Sequence, residues 1–360
     1  MHKSFSIKNY RCFGNLTIEP LARVNLISGK NNVGKTALLE ALFIFNRRHP
    51  IAGFATYSFR GLEDFRIDDE LALEFFQDFD SEKTITFTGE YQNEEKQLLD
   101  ITIQERDISH ISDHNNQRVD NKTFSAMEVA MQEVSTPIQI VFKYSNVAGE
   151  TLQELRAFAE GGDIRFDGIT GVEKPKISLL LARERQNPRD IAQALSNLRR
   201  IREDEKVIET LQIIDSRLKN IEVLQRLDHP VVYCDLEGIS ELMPMPLMGE
   251  GMFRLLEIAL IIAHTKDSIV LIDEIENGIH HSVMDKVWQA IGDLARESNV
   301  QIFATTHSME CIEAAHQAFV KSPTYDFHHH RLERIKGNIQ AVTYSQKNLD
   351  VAFEMGWEMR

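Results

Sequence analysis

The chain has 360 residues, of which 42% are hydrophobic and 26% are charged, and this composition excludes wholesale disorder. Its 40 lysines and arginines against 55 aspartates and glutamates give a formal charge of −15, which excludes a surface that binds polyanions over its whole extent. Three scattered cysteines, Cys12, Cys234 and Cys311, match neither a disulfide framework nor a zinc spacing, so we expect a reducing, cytoplasmic compartment.

No targeting or membrane segment is predicted. The N-terminus alternates polar and apolar residues and lacks the continuous apolar run of a signal peptide. The most apolar stretch, residues 255–263, is too short to cross a bilayer. We therefore expect no membrane partner.

The first forty residues predict three strands, a loop and a helix. Apolar and polar residues alternate around Phe5 and Ile7 and again over residues 16–18. An apolar run over residues 24–28 then leads into a glycine-rich loop. From Lys35 onward apolar residues recur at helical spacing on most sides, which predicts a helix buried against a sheet.

The middle of the chain predicts an antiparallel patch followed by helices. Residues 50–83 carry no clear period. Strand-like runs then occur at 84–88, 99–103, 138–142 and 177–181, with a polar, exposed loop expected at 109–121. Two apolar stripes over residues 188–216 predict two helices that are joined near Glu203.

The last third of the chain alternates between helix and strand. The pattern predicts helix, strand, helix and strand at 252–264, 268–273, 282–297 and 300–305. This alternation is typical of βαβ units in a parallel sheet. A hairpin with its turn at Gly337 and a short last helix should follow.

A phosphate-binding loop lies between the third strand and the first helix. Residues 29–36, GKNNVGKT, fit the pattern G-x-x-x-x-G-K-[ST] without a gap. In such a loop backbone N–H groups converge on a phosphate, a lysine lies between the β- and γ-phosphates, and a hydroxyl coordinates Mg²⁺. We predict that ATP contacts Gly29, Asn31, Asn32, Gly34, Lys35 and Thr36. Asn32 stands where many such loops have glycine, and asparagine tolerates a left-handed backbone.

Two acids and a histidine end the strands that should neighbour this loop. An apolar run over residues 268–272 ends in Asp273, a candidate Mg²⁺ ligand, and Glu274, a candidate base for an attacking water. His307 ends the next strand, where it can contact a γ-phosphate or orient the water. The alternatives are solvated acids at a strand end and a surface histidine. The upstream phosphate loop favours the functional interpretation.

Four motifs in this order resemble ABC-type ATPases. The motifs are the phosphate loop, a Gly249-Glu250-Gly251 segment that opens a helix, the acids after residue 272, and the Thr306-His307-Ser308 segment. Specifically the chain resembles ATPases related to the overcoming-lysogenization-defect (OLD) proteins, called AAA15 or RecF-like, and residues 7–13 resemble the N-terminal motif of the RecF, SMC and OLD ATPases. The resemblance implies an α/β fold, a P-loop NTPase of ABC type with a mixed or parallel core sheet, an antiparallel β patch and a helical insertion. The resemblance further implies three parts. These are an N-terminal part of the ATPase domain at 1–150, a helical or lid insertion at 151–230, and a C-terminal part of the ATPase domain at 231–360.

The resemblance also implies roles for the site residues. Lys35 and Thr36 would bind phosphate and Mg²⁺, Asp273 would be the Walker B acid, Glu274 the catalytic base and His307 the switch histidine. Segment 249–251 would stand where transporters carry their signature, which completes the site of the opposite subunit. The implied active form is a head-to-tail homodimer, or a higher homo-oligomer, with ATP at the interface.

The sequence departs from its relatives at several points. The signature segment lacks the serine of transporters, and Gln77 is only a candidate for the Q-loop glutamine. Residues 150–230 lack the heptads of an SMC arm. Only about fifty residues follow His307, fewer than a nuclease domain of the kind that OLD proteins carry would need, so we expect a separately encoded nuclease or other effector.

Weaker signals have ordinary structural interpretations. Residues 183–206 hold seven basic side chains and five acids, which favours a solvated helix face but leaves contact with DNA or a partner open. A strand would divide His328, His329 and His330 between its two faces, which argues against a metal site. His280 and His281 are candidates for a loop that contacts the dimer partner.

The leading hypothesis is an ATP hydrolase whose ATP-driven dimerisation controls an effector in antiviral defence or DNA maintenance. Two alternatives stay open at this point. One is a nucleotide-gated scaffold or sensor with little hydrolysis, and the other is a RecF-like DNA repair ATPase, whose turnover DNA would stimulate in a salt-dependent way.

Overall fold

A computed structural model describes residues 1–58, 73–106, 138–160, 163–169, 176–182, 186–227 and 229–359. The predicted exposed loop at 109–121 and the basic residues Arg183 and Arg185 lie outside the described residues. The described chain forms sheets of seven, three and six strands.

The elements follow one another in the order below. The strands are β1 His2–Tyr10, β2 Phe13–Ile18, β3 Val24–Gly29, β4 Ile85–Tyr91, β5 Lys96–Glu105, β6 Ile138–Asn146, β7 Thr151–Glu160, β8 Asp163–Ile169, β9 Lys176–Leu180, β10 Leu218–Arg226, β11 His229–Leu236, β12 Met243–Pro244, β13 Ser268–Ile272, β14 Gln301–Thr305, β15 Phe327–Ile335 and β16 Asn338–Tyr344. The helices are α1 Lys35–Arg47, α2 Ile51–Ser58, α3 Pro188–Arg200, α4 Glu205–Leu211, α5 Glu250–His264, α6 Met284–Glu297, α7 Met309–Lys321 and α8 Gln346–Glu354.

The six-stranded sheet carries the phosphate loop, and its strand order is β16-β15-β3-β14-β13-β9. Strands β15, β3, β14, β13 and β9 pair in parallel, and β16 returns antiparallel to β15. Every residue of β3, β13 and β14 is buried, because helices or the second sheet cover both faces. This burial explains their continuous apolar runs and confirms the predicted parallel sheet.

The antiparallel sheet is larger than the predicted patch. Its order is β2-β1-β4-β5-β6-β7-β8, so the three predicted strands are present and two more follow them. Strands β7 and β8 span residues 151–169, and β7 pairs with β6 directly. The prediction of a helical insertion starting at residue 151 is therefore wrong for these residues, and the boundary at residue 150 falls inside one sheet. The predicted helices of this region are present as α3 and α4.

The remaining elements agree closely with the sequence patterns. Helix α5 begins at Glu250, two residues before the predicted start, because Gly249 serves as its N-cap with φ 95°. The C-terminal hairpin and last helix are present as β15, β16 and α8. None of the described helices is both long enough and apolar enough to cross a membrane.

Two apolar cores lie on opposite faces of the six-stranded sheet. Alternate residues of its central strands point into different cores: Ile302 and Ala304 into one, and Phe303 into the other. The first core is completed by α5, α6 and α7 together with the three-stranded sheet, and the second by α1 and the antiparallel sheet. The parallel strands β3, β13 and β14 end at the same edge of this shared sheet, which is where ligands bind in open α/β folds.

Candidate active site

The phosphate loop follows β3 and turns directly into α1. Asn32 has φ 62°, the left-handed conformation that its residue type allows, and Gly34 caps the helix with φ 89°. A Cβ on Gly34 would lie 2.6 Å from both the Cys12 Sγ and the Phe13 ring. Only glycine fits this position, because the turn between β1 and β2 packs against the loop.

Lys35 holds the loop in its ring-like shape. Its ammonium donates hydrogen bonds to the carbonyl oxygens of Gly29, at 2.7 Å, and Lys30, at 3.1 Å. Burial lowers the pKa of Lys35, while Asp273, Glu274 and Glu276 act in the opposite direction. A bound polyanion would favour the charged ammonium, so the loop is suited to a triphosphate.

The two predicted acids are fixed by a threonine of the neighbouring strand. The Thr305 hydroxyl donates to Asp273 Oδ1 at 2.6 Å, and it accepts a hydrogen bond from the Glu274 amide at 2.8 Å. Burial raises the pKa of Asp273, and the Thr305 hydrogen bond opposes that shift. A carboxylate in this setting is stabilised by a nearby cation.

Glu274 has φ 46°, an uncommon backbone conformation for this residue type that is characteristic of functional turns. Its Oε2 accepts a hydrogen bond from Asn277 Nδ2 at 2.9 Å, and its Oε1 lies 3.8 Å from His307 Nε2. The His307 amide donates to Glu276 Oε1 at 2.8 Å. Glu274, the candidate base, and His307 are thus held side by side by the loops that follow β13 and β14.

One cleft of about 850 Å³ brings most of the predicted residues together. The predicted residues that line it are Asn31, Asn32, Gly34, Lys35, Thr36, Asp273, Glu274 and His307. Gly29 lies behind the loop, where a neighbouring cavity of about 710 Å³ also contains Lys30 and Arg331.

The signature segment lies outside this cleft and packs against its own chain. A Cβ on Gly251 would lie 2.3 Å from the Gly278 carbonyl oxygen, so the first turn of α5 rests on the loop after β13. Glu250 is exposed, and its Cγ is close to Gly278. Gly249 has open space around it. The role of Gly251 inside the chain is therefore close backbone packing.

Arg254 is a site residue that the sequence reasoning missed. It is 6% exposed, and its guanidinium donates to the carbonyl oxygens of Asp273, at 2.7 Å, and Leu181, at 3.0 Å. Burial lowers its pKa, and Glu257, 3.8 Å away, acts in the opposite direction. The residue ties α5 to the ends of β13 and β9. No sequence signal marked it, because it lies in an apolar helix without a motif.

Two further cleft residues come from poorly patterned or remote segments. Arg11 lines the cleft, and its Nε lies 3.0 Å from Glu40 Oε2. Its guanidinium also lies over the Tyr57 ring, 5.7 Å from the ring centroid. Phe79 also lines the cleft and is 67% exposed, with φ 58°. Residues 50–83 carried no clear period, so Phe79 could not be found from the sequence.

Other sequence candidates have defined positions. Phe76, Asp78 and Phe79 line the cleft, whereas the Gln77 amide packs against Gly14. His280 is exposed and caps a short 3-10 turn.

The histidines of β15 are divided between the faces of the strand, as predicted. His329 contacts Ser28 at 2.7 Å, and His330 contacts Asn25 at 3.2 Å on the opposite side. Burial lowers the pKa of both.

The family of the chain follows from comparison with known proteins. The family model described as "AAA domain, putative AbiEii toxin, Type IV TA system" matches residues 24–313, which is well over half of the chain and contains every loop of the cleft except the turn between β1 and β2. The chain belongs to this AAA-domain family.

A relative of this AAA-domain protein is similar over its whole length. The Helicobacter pylori protein named "ATP/GTP phosphatase" is 24% identical over 384 residues, which cover 98% of this chain and 98% of that protein. An uncharacterized protein of Methanocaldococcus jannaschii is 39% identical over 66 residues, or 18% of this chain and 58% of that protein.

Solved structures support the fold. A crystal structure of an SMC head bound to the C-winged helix domain of ScpA has a TM-score of 0.52 at 12% identity, with 98% of this chain and 99% of that chain covered. The SMC head domain from Thermotoga maritima has a TM-score of 0.45 at 12% identity, over 96% and 99%. The first of these structures confirms the predicted α/β fold, which resembles that of an SMC head, and the family identifies the chain as an ATPase of the AAA type.

Proposed function

We propose that this AAA-domain protein is a Mg²⁺-dependent, OLD-like (AAA15) cytoplasmic ATPase that dimerises head to tail around ATP. In that state it controls a separately encoded effector, with a nuclease in antiviral defence or DNA maintenance as the preferred case. One observation carries the proposal: Lys35, Thr36, Asp273, Glu274 and His307, which come from three loops, line a single cleft.

Nucleotide binding would use the loop as it stands. The amides of residues 31–36 surround the start of α1, where the helix dipole favours an anion. The Lys35 ammonium, now bonded to Gly29 and Lys30 carbonyls, is within the same loop and can turn to the β- and γ-phosphates. GTP is a second candidate substrate, because the full-length relative from Helicobacter pylori is named for both nucleotides.

The residues present fit a magnesium ion. Mg²⁺ prefers hard oxygen ligands and keeps several waters, so one hydroxyl and one carboxylate are a sufficient protein contribution beside phosphate. Thr36 and Asp273 supply these groups on the same cleft, and burial raises the pKa of Asp273 although Arg254 and Lys35 act in the opposite direction, so a further cation beside this carboxylate would stabilise its charged form. When bound, the ion neutralises charge that develops on the phosphates.

Hydrolysis would depend on Glu274 and His307. The Glu274 carboxylate can accept a proton from water, and Asn277 holds its other oxygen at 2.9 Å. His307 stands 3.8 Å from that carboxylate and can donate to a γ-phosphate oxygen or orient the water. Both side chains are more than one-third exposed, so water reaches them in the single chain.

A second chain would close the site. Gly249 and the start of α5 lie outside the cleft of their own chain, and Gly249 has open space around it. The exposed Leu247, 72% accessible, precedes this segment and presents an apolar surface beside it. Both features favour contact with the cleft of another copy, so each site would take its base from one chain and its signature from the other.

The basic stretch of α3 and α4 favours a structural role over DNA contact. Arg199 binds Asp204 and Glu222, each at 2.9 Å, and Lys206 pairs with Glu297. These two cations are already paired with neighbouring acids, which weakens the case for a RecF-like activity that would use them. Turnover that is unchanged by duplex DNA is therefore expected.

The experiment compares wild type with Glu274→Gln and Lys35→Ala. Glu274→Gln should bind Mg-ATP normally, abolish hydrolysis and accumulate as a dimer by light scattering, because the base is neutralised while Asp273 remains. Lys35→Ala should lose ATP affinity, measured with a fluorescent analogue. Full turnover in Glu274→Gln, or unchanged affinity in Lys35→Ala, would contradict the assignment of this cleft.

A mixing experiment tests the shared site. A substitution within the signature segment at Gly251 would not test it, because any side chain there collides with the Gly278 carbonyl inside the same chain. Leu247→Asp places a charge on the exposed apolar residue instead. A mixed dimer of Leu247→Asp and Glu274→Gln chains would have one doubly damaged site and one intact site. Partial recovery of turnover is expected on mixing, and a mixture that stays inactive while both chains dimerise counts against head-to-tail sharing.

A further inference from the structure

An exposed aromatic ring faces the nucleotide cleft. Phe79 lines the cleft and is 67% accessible, whereas Phe75 and Phe76, its close neighbours in the chain, are 3% and 2% accessible. Leaving a phenyl ring in water forfeits the free energy that burial of its apolar surface would provide. A ring that is held open inside a concave site is therefore available to a ligand.

The backbone that carries this ring adopts an uncommon conformation. Asp78 and Phe79 both have φ 58°, which is rare for a residue as bulky as phenylalanine and is found mainly at ligand-binding and other functional sites. Neighbouring backbone groups hold the segment in place: the Arg11 amide donates to the Phe75 carbonyl oxygen at 2.9 Å, and the Phe79 amide donates to that of Phe76 at 3.2 Å. The position of Phe79 is thus fixed by the chain around it, while its own ring is left uncovered.

The hairpin of β1 and β2 contacts both the phosphate loop and the segment that carries Phe79. A Cβ on Gly34, in the loop, would lie 2.6 Å from Cys12 Sγ, and a Cβ on Gly14 would lie 3.2 Å from Gln77 Nε2. Phe79 follows Gln77 by two residues, so its ring is a neighbour of the phosphate loop within one cleft of about 850 Å³. A nucleotide whose phosphates are held by the loop carries its base into the remainder of this cleft.

The polar side chains beside Phe79 are poorly suited to distinguish one base from another. Glu74 and Asp78 line the cleft and both are exposed; the Asp78 side chain is 74% accessible, and its carboxylate lies 3.7 Å from Lys83 Nζ. A site rejects the wrong base by hydrogen bonding when its buried polar groups would be left unpaired, whereas exposed groups return to water. Stacking on a ring is open to every base, and its strength grows with the size of the base.

We propose that Phe79 stacks on the base of the bound nucleotide and that the cleft selects purine nucleotides as a class, with similar affinity for adenine and guanine. This inference rests on the proposed function, because a nucleotide must occupy the phosphate loop for its base to meet the ring. It deepens that function by assigning the base-binding residue and the substrate class. Phe79 contacts the ligand away from the reacting atoms, so it contributes to nucleotide affinity.

Diphosphates separate recognition of the base from hydrolysis. ADP, GDP, CDP and pyrophosphate, each with Mg²⁺, are titrated into the full wild-type chain by isothermal titration calorimetry; none of them carries a γ-phosphate that could be hydrolysed or shared with a second chain. The dissociation constants of ADP and GDP should agree within about tenfold, and CDP should bind more weakly than either. A larger difference between ADP and GDP, or CDP binding as tightly as the purines, overturns selection of purines as a class.

Variants of Phe79 test the stacking itself. Phe79→Ala should weaken ADP and GDP about tenfold or more and leave pyrophosphate, which has no base, unchanged. Phe79→Tyr keeps a ring and should retain the affinity for ADP. Trp357→Ala is the matched control, because it removes an exposed aromatic side chain that does not line the cleft. Equal weakening of ADP and pyrophosphate in Phe79→Ala would assign Phe79 to support of the loop and overturn the stacking.

Lys35→Ala distinguishes a failure of this inference from a failure of the proposed function. If the loop binds phosphates, Lys35→Ala should weaken all four ligands, pyrophosphate included. A wild-type chain that binds none of them contradicts the proposed function and this inference together. A loss of binding in Lys35→Ala beside unchanged ADP affinity in Phe79→Ala leaves the proposed function standing and overturns only the role of Phe79. A dimerisation defect of Phe79→Ala with unchanged ADP affinity would assign the ring to contact with a second copy instead.

Discussion

Thr305 shows how one side chain can set two acids at once. Its hydroxyl donates to Asp273 and accepts from the amide of Glu274, so the proposed metal ligand and the proposed base share one support. The hydroxyl also opposes the rise in the pKa of Asp273 that burial causes. Groups that orient a metal ligand in this way affect activity without touching substrate.

Thr305→Val should therefore lower turnover roughly 10–100-fold while the fold is kept, because valine preserves shape and removes both hydrogen bonds. Loss of the hydroxyl raises the pKa of Asp273 further, so the acid limb of the pH–activity profile should move to higher pH. Turnover over a pH series is the measurement. Thr210→Val is the control, since its buried hydroxyl only donates to the Lys206 carbonyl; equal losses in the two variants would remove Thr305 from this role.

Buried neutral histidines should make the protein acid-sensitive. Burial lowers the pKa of His2 to about 4 and that of His329 to about 3, and the Nδ1 atom of each lacks a partner among the described residues. An unfolded histidine titrates near 6.5. The unfolded state therefore binds protons first, so the stability is complete above pH 6.5 and is lost as the pH falls towards the folded value.

Between about pH 7.5 and pH 5 each of these two histidines should reduce the free energy of unfolding by about 2 kcal/mol. His2→Gln, which keeps a donor for Asn46, should lose less stability over this range than wild type. Urea unfolding at both pH values is the measurement. An identical pH dependence of the free energy of unfolding in the variant would mean that protonation of His2 does not contribute to the acid sensitivity.

At the scale of elements, α5 and the loop after β13 behave as one piece. Gly251 meets the backbone of Gly278, and Arg254 binds the carbonyl that ends β13 as well as one beyond β9. The signature segment is thus rigidly connected to the two acids of its own chain. A partner that contacts α5 would act directly on the position of Asp273.

Arg254→Met should destabilise the chain by about 3 kcal/mol, because two buried carbonyls lose charge-assisted hydrogen bonds. Arg254→Lys should recover part of this loss, since an ammonium keeps the charge without the planar fork. Urea unfolding of both variants is the measurement, and Arg200→Met, on the exposed face of α3, is the control. A loss no larger than that of the control would show that these contacts add nothing to stability.

Three of the strands that the sequence predicted correctly are buried along their whole length. Because these strands, β3, β13 and β14, are buried throughout, each has a continuous apolar run that is easily recognised in the sequence. Each also ends in a motif of recognisable chemistry. Strand β7 was missed because its inward face includes Gln153, which donates to the Arg48 carbonyl at 3.1 Å, and its composition favours a helix. Pairing with β6 overrides that local preference.

The candidate site was predictable only as far as its loops carry local motifs. Lys35, Asp273, Glu274 and His307 stand in recognisable segments, and the structure brings them to one cleft. Arg254 functions through carbonyls that are distant in sequence, so no local pattern could identify it.

At the scale of the whole molecule, the six-stranded sheet contributes side chains to two apolar cores, one on each of its faces. Val270 and Ile302 belong to one core, whereas Leu271 and Phe303 belong to the other. A substitution that destabilises one core should therefore also lower the stability of the other, because unfolding of either core requires the same strands to separate. The chain is expected to unfold in a single cooperative step despite its three sheets.

Phe87→Ala tests this directly. Phe87 is fully buried in the core under the antiparallel sheet, and its truncation should cost about 3–5 kcal/mol. Trp288 lies in the opposite core, so in a Trp357→Phe background its emission reports on the far side of the sheet. Trp288 should unfold at a correspondingly lower urea concentration. An unchanged Trp288 transition would demonstrate two independently unfolding halves.

The position of β3 in its sheet also has a consequence for synthesis on the ribosome. Val24 pairs with Ile302 on one side and with Phe327 on the other, so both neighbours of the phosphate-binding strand are made long after it. The antiparallel sheet, complete by residue 169, can assemble on the nascent chain much earlier. The nucleotide cleft forms only once β14 and β15 have left the exit tunnel, so ATP cannot assist the folding of the antiparallel sheet that is made before them.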